Sequence, residues 1–266
     1  MTAFTPGAER SPRNDFVFGA GSLHRIFSSA RRQRLLDQAF ELGFRAFDAA
    51  PAYGNGLNEL ELGYAFGRRR SEVELTTKFG IPVELYGERM RAMFFLMRAK
   101  RKYLSRSYGS EYERRCFSAS ALLESLHGSL RRLRCDYVDR LMMHEPLEPL
   151  PLRISVELID LAERLKVEGK IRSFGVCGTS RSIRNVLDSI PFDVVQAPIW
   201  DIADLPIEGA ATVAYGAYRE FSNRAPSRGR GFVDFVSSLR VERPRLEIIL
   251  ASTSCKTLNS WKGLFP

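Results

Sequence analysis

Short apolar runs alternate with amphipathic helical patterns along this 266-residue chain, and that rhythm limits its possible folds more than any other feature. β-rich runs begin at Phe16, Phe44, Val73, Tyr137, Ile171, Asp193, Ala211 and Leu246, eight in all. Helical patterns fall between them, at 28–42, 60–66, 118–133, 154–168, 182–189 and 232–239. The third carries Leu122, Leu123, Leu126, Leu130 and Leu133 at the spacing of one helix face. Ser28 or Ser29 suits the N-cap of the first helix, and Gly169 the end of the fourth. Strand and helix in repeated alternation build parallel sheets. Parallel strands are covered on both faces, so they read as continuous apolar runs. The expected architecture is α/β, a single-domain (β/α)8 TIM barrel over residues 16–266, for which the length is ordinary. Residues 1–15 are polar and read as a flexible lead.

Bulk properties narrow the function classes. No apolar run approaches the roughly 20 residues needed to span a bilayer, and the N-terminus lacks an apolar signal core. Cys116, Cys135, Cys177 and Cys255 are scattered, as are His24, His127 and His144. Neither set has metal-ligand spacing, so no metal is expected. Reduced thiols in a cytoplasmic protein are the simplest reading. The formal net charge is +9. Much of the excess lies in a long irregular insert at about 80–117, in Arg89, Arg91, Arg98, Lys100, Arg101, Lys102, Arg106, Arg114 and Arg115. No nucleic-acid recognition motif accompanies that charge, so a nucleic-acid partner is not expected. The same insert places Met93, Phe94, Phe95, Leu96 and Met97 among the basic residues. It reads as an outer helix with a solvated basic face, as a lid over a substrate pocket, or as a membrane-surface helix through residues 89–102.

Four polar residues stand at or just beyond strand ends. Asp48 closes FRAFDAA, and Tyr53 follows in PAYGNG. Lys78 closes VELTTK, and His144 closes VDRLMMH. In a parallel barrel the C-terminal strand ends share one mouth, where active sites lie. Singly, each has a plain structural use: a turn aspartate, a surface tyrosine, a satisfied buried histidine. Together they have a chemical logic. A tyrosine pKa near 10 is poorly placed for proton transfer at neutral pH. A neighbouring ammonium favours the phenolate and lowers that pKa. A carboxylate keeps the ammonium charged and in place, and an imidazole can orient a carbonyl oxygen. Hydride must come from an organic cofactor.

FDAAPAYGNGLNELELGYAF resembles the signature of the aldo-keto reductases, in which Asp and Tyr are followed by Gly and Glu. TTKFG resembles that family's lysine strand, and SLHGSLRRLRCDYVDRLMMHEP its helix, strand and histidine. GKIRSFGVCGTS and FDVVQAPIW resemble its fifth and sixth strands. The likeness runs from about Phe16 to Trp200 and resumes at 246–258. It implies a catalytic tetrad of Asp48, Tyr53, Lys78 and His144. It further implies Gln196 at the nicotinamide carboxamide, Tyr215 stacked on the nicotinamide, and close backbone approach at Gly21 and Ser22. Ser252, Thr253, Ser254 and Lys256 would surround the adenosine phosphate. The resemblance thus implies an NAD(P)-dependent oxidoreductase that interconverts a small carbonyl compound and an alcohol, with NADP(H) preferred over NAD(H). A sugar, aldehyde or ketone would be the substrate.

The sequence departs from the family pattern in three places. The fifth strand ends Gly-Val-Cys177-Gly178 where the family has Gly-Val-Ser-Asn, so both carboxamide-binding side chains differ. The final motif lacks its Arg and Glu-Asn, leaving Lys256 as a point charge rather than a planar fork. The family's C-terminal loop is expected to be nearly absent, and the arginine-rich stretch between Tyr215 and Phe232 to lie over the pyrophosphate. These departures keep an alternative in view: a non-catalytic NAD(P)-binding sensor or partner protein on the same fold.

Overall fold

Side chains along each strand alternate between two cores, one outside the sheet and one within it. Phe16, Phe18 and Phe47 join the apolar layer under the helices, whereas Val17 and Ala46 belong to a separate interior cluster. A computed structural model describes residues 15–83, 115–224 and 231–265 of the chain. Its strands are Phe16–Gly19 (β1), Ala46–Asp48 (β2), Glu74–Phe79 (β3), Val138–His144 (β4), Ile171–Cys177 (β5), Val194–Pro198 (β6), Ala211–Tyr215 (β7) and Leu246–Leu250 (β8). Each pairs in parallel with the next, and β1 pairs with β8, so the sheet closes into a barrel. The expected (β/α)8 architecture is observed.

The helices are Ser29–Leu42 (α1), Leu57–Phe66 (α2), Ala119–Leu133 (α3), Leu152–Val167 (α4), Ser180–Leu187 (α5), Ala217–Arg224 (α6), Phe232–Glu242 (α7) and Cys255–Ser260 (α8). Ser28 caps α1 by accepting from the Arg31 N–H. Leu122, Leu126, Leu130 and Leu133 of α3 are buried, as their spacing requires. Gly169 follows α4 in the left-handed conformation, the usual geometry of a glycine past a helix end.

The two-residue period of a strand stacks the barrel interior in layers. The floor holds Arg140, whose guanidinium grips Glu247 at 2.6 and 2.8 Å and Glu74 at 3.2 Å. Above it lie Val17, Ala46, Met142, Val194, Val213 and Ile249. Two residues further along, Asp48, Lys78, His144, Cys177, Gln196 and Tyr215 form the layer at the mouth.

Outside the barrel, Glu59 of α2 is fully buried. It accepts from Arg132 of α3 at 2.7 Å and from the Thr77 hydroxyl at 2.5 Å. A charge taken out of water needs such partners.

Several local expectations are corrected. Directly after β1, Ala20–Arg25 forms a 3-10 turn. α2 begins at Leu57 rather than Leu60, because Gly54 and Gly56 adopt positive φ (66° and 88°) and turn the chain early. Helices α6 and α8 were not foreseen. The flexible lead, nearly all of the basic insert, residues 89–102 included, and part of the arginine-rich stretch lie outside the described residues. Among the described residues no helix is long and apolar enough to cross a membrane.

Candidate active site

β2, β3 and β4 are neighbours, so the polar residues at their ends meet in one place. Lys78 Nζ donates to Asp48 Oδ1 at 2.6 Å and to the Ala49 carbonyl at 3.0 Å. The pair is almost wholly shielded, with side-chain exposures of 0% and 6%. The loop after β2 turns back and sets Tyr53 against both partners. Lys78 Nζ lies 4.9 Å from the centre of the phenol ring. The His144 imidazole meets the same ring edge-on, with centroids 5.7 Å apart. The structure therefore brings together all four side chains of the expected tetrad.

Burial and charge set their protonation. Removal from water disfavours the Lys78 ammonium, but Asp48, Tyr53 and Cys177 together outweigh that and hold its pKa above the ordinary value. Tyr53 is likewise pushed up by burial, and the Lys78 charge opposes the rise without cancelling it. The expected net lowering of the phenol pKa is thus not found. Lys78 pulls in the anticipated direction, but desolvation is the larger effect. His144 is held well below the ordinary histidine value, first by burial and then by Lys78 and Arg115. The mouth contains a protonated phenol, a protonated amine and a neutral imidazole at neutral pH.

Arg115 was hidden in sequence among the basic residues of the insert. It donates to the Glu145 backbone carbonyl at 3.2 Å and to its carboxylate at 3.0 Å, directly after His144. Glu145 itself takes positive φ, 52°. No spacing or motif marks this pair in the sequence.

On the opposite wall stand Gln196 and Tyr215. The Gln196 side chain is 3% exposed, with no hydrogen-bond partner among the described residues. The amide is not among the buried side-chain groups sealed off without a partner, so it can pair with polar groups of a ligand at the mouth. Tyr215 donates its hydroxyl to the Gly178 carbonyl at 3.3 Å, which fixes the ring at the end of β7. Gly21 passes over Tyr53, close enough that an added methyl would touch the phenol ring at 3.6 Å. Gly178 has a local cause: any side chain there would collide with the Ser182 hydroxyl of α5. Cys177 faces inward beside His144 and Gln196 in strand register, and burial pushes its thiol up to about 12.

The remaining expected cofactor residues stand apart from this cluster. Ser22 lies half-buried in the 3-10 turn. Ser252 accepts from the Ser254 N–H at 3.0 Å in the turn after β8. Thr253, Ser254 and Lys256 are exposed at the rim.

A model of the aldo/keto reductase family matches residues 15–204. The chain belongs to that family. Among curated proteins, this aldo/keto reductase is 30% identical to L-galactose dehydrogenase of Arabidopsis thaliana over 181 residues, which cover 65% of the chain and 48% of the relative. It is 29% identical to the NADH-specific methylglyoxal reductase of Escherichia coli over 173 residues, 64% of the chain and 48% of that protein. The chain thus spans about half the length of these curated relatives. Among solved structures it resembles a glycerol dehydrogenase from Gluconobacter oxydans, with a TM-score of 0.71 at 18% identity, covering 98% of this chain and 89% of that one. An aldo-keto reductase from Klebsiella pneumoniae in complex with NADPH gives a TM-score of 0.63 at 17% identity, with coverage of 93% and 84%. At such identities the structural likeness speaks for the fold.

Proposed function

We propose that this aldo/keto reductase interconverts a small aldehyde, ketone or sugar and the corresponding alcohol, with NADP(H) preferred over NAD(H). The observation that carries the reading is the placement of the Tyr53 ring between Lys78 and His144 at the barrel mouth. The cofactor, when bound, supplies or accepts the hydride. Gln196, with its unpartnered amide, would hold the carboxamide, and Tyr215 would lie against the nicotinamide ring.

In the reducing direction Tyr53 gives its hydroxyl proton to the substrate oxygen, and in the oxidising direction it takes one back. Its raised pKa keeps the proton in place at neutral pH but makes the phenol a weaker acid, so transfer leans on the Lys78 charge, which opposes the rise. Lys78, fixed by Asp48, stabilises the phenolate left after transfer, since an adjacent cation favours the charged form. His144 stays neutral, so an imidazole N–H can donate to the carbonyl oxygen without competing for its proton. Arg115 and Lys78 support that neutrality.

A second reading keeps cofactor binding and drops turnover. Cys177 and Gly178 favour it, because neither offers the carboxamide a strong side-chain partner. Two measurements separate the readings. Quenching of protein fluorescence by NADPH or NADH reports binding. A panel of aldehydes and sugars, followed at the nicotinamide absorbance band, reports turnover. Binding without turnover across the panel would replace the enzymatic reading with the second one.

A further inference from the structure

The residue directly after His144 takes a backbone shape that its side chain does not favour. Glu145 sits at φ 52°, a left-handed conformation uncommon outside glycine. Such conformations persist only where the surroundings impose them, and they gather at functional sites. Here the surroundings do impose it. The Glu145 N–H donates to the Cys177 carbonyl at 2.7 Å. Its own carbonyl accepts from Arg115 Nε at 3.2 Å, and its carboxylate Oε2 accepts from the same guanidinium at 3.0 Å. Gly178 lies so near that a methyl added there would stand 3.4 Å from Glu145 Cα. The Gly178 carbonyl in turn accepts from the Tyr215 hydroxyl. Glu145 is thus pinned to the stretch of wall that runs from His144 through Gly178 to Tyr215.

The two members of the ion pair are not equally open. The Arg115 side chain is 9% exposed and that of Glu145 39%, so the carboxylate is the member that an arriving molecule meets. Its Oε1 has no hydrogen-bond partner among the described residues. The charge is felt in the mouth: after burial, it is among the influences that hold the Cys177 thiol and the Tyr215 phenol above their ordinary values. The other cation beside the tetrad, Lys78, is taken up by Asp48. An anionic reactant therefore finds both of these cations engaged and a carboxylate in view. A hydroxyl finds an acceptor, since an ionised carboxylate accepts hydrogen bonds and donates none. Hydrogen bonds to a charged acceptor are the stronger kind, whereas like charges brought together discriminate against a partner.

We propose that Glu145 is a specificity-determining residue: its carboxylate accepts a hydroxyl carried one or two carbons from the reacting carbonyl, and it turns away carbonyl compounds that bear a carboxylate. The proposal rests on the reading of the mouth as a site of carbonyl reduction, and it narrows which carbonyl compounds that site takes.

The test compares the full chain with its Glu145→Ala and Glu145→Gln variants. For each, kcat/KM is measured with glyceraldehyde, propanal and glyoxylate at the nicotinamide absorbance band, with NADPH and with NADH. Wild type should prefer glyceraldehyde to propanal and use glyoxylate least. Loss of a hydrogen bond to a charged group is worth about 10- to 100-fold, so the glyceraldehyde-to-propanal ratio should fall by that factor in Glu145→Ala. Glu145→Gln keeps an acceptor and loses the charge; its glyoxylate-to-propanal ratio should rise about tenfold. A residue that merely braces the wall would change all three substrates alike, and ratios equal to those of wild type in both variants overturn the proposal. Wild type that favours glyoxylate, or that treats propanal and glyceraldehyde equally, overturns it as well. Circular dichroism checks the fold of each variant; should Glu145→Ala not fold, the wild-type preference and the isosteric Glu145→Gln decide. Turnover without these preferences removes the proposal alone. No turnover of any carbonyl by wild type removes the enzymatic reading, and the proposal with it.

Discussion

Lys78 and Asp48 hold one another at 2.6 Å with almost no access to solvent, one strand apart at the barrel mouth. Removing one partner of such a buried pair leaves the other charge stranded, at a cost of about 3–5 kcal/mol. Lys78→Met and Asp48→Asn should each lower the urea midpoint, Lys78→Met the more strongly. The double variant should recover part of that loss, because no uncompensated charge remains. Strict additivity in a double-mutant cycle would show that the two groups do not depend on each other.

Tyr53→Phe removes one hydroxyl and keeps the ring between Lys78 and His144. If that hydroxyl carries the proton, kcat should fall about 100- to 10,000-fold. Cofactor affinity, read by fluorescence quenching, should stay within about twofold, since the ring itself is preserved. Unimpaired turnover in the phenylalanine variant would take the proton-transfer role away from Tyr53.

His144 is buried neutral, with its pKa well below the usual histidine value. The unfolded chain takes up a proton there below about pH 6.5, whereas the folded chain refuses it. Stability from this group is therefore complete above about pH 6.5 and drains as the pH falls, by up to about 1.4 kcal/mol per pH unit. His144→Gln should flatten the dependence of the urea midpoint on pH between about 6.5 and 5. An identical slope in wild type and variant would assign the acid sensitivity to other groups.

Cys177 sits in the wall of the mouth with its thiol pushed up to about 12 by burial, while Cys116 and Cys255 are exposed. Only a thiolate attacks alkylating reagents readily. At pH 8 iodoacetamide should label Cys116 and Cys255 first, and Cys177 only after the chain unfolds. Mass spectrometry of tryptic peptides distinguishes the sites. Early modification of Cys177 would mean that its thiolate forms and is reachable in the folded state.

The barrel and the four clustered side chains were legible because period and position act together. A strand end in a parallel barrel has only one mouth to face, so Asp48, Lys78 and His144 could be placed by counting strands. Tyr53 was legible through its motif, while its turn depends on the positive φ of Gly54 and Gly56. Other features were not readable. Arg115 lies close to Glu145 only in three dimensions, 30 residues away in sequence. Glu59, Thr77 and Arg132 meet where α2, β3 and α3 pack, and each alone looks like an ordinary surface residue. The direction of the Tyr53 shift was misjudged because desolvation depends on how fully the ring is enclosed. Spacing reveals the neighbouring ammonium but not the depth of burial.

The charged plug of Arg140, Glu247 and Glu74 also bears on traffic through the molecule. With the apolar layer above it, the interior is a packed core and not a pore, so the mouth is a cul-de-sac with a single doorway. Reactant and product must use the same door, and whatever lies deepest is the last to leave. Gln196 and Tyr215 share their layer with Asp48, Lys78 and His144, so a dinucleotide and a carbonyl compound would both have to pass through that doorway.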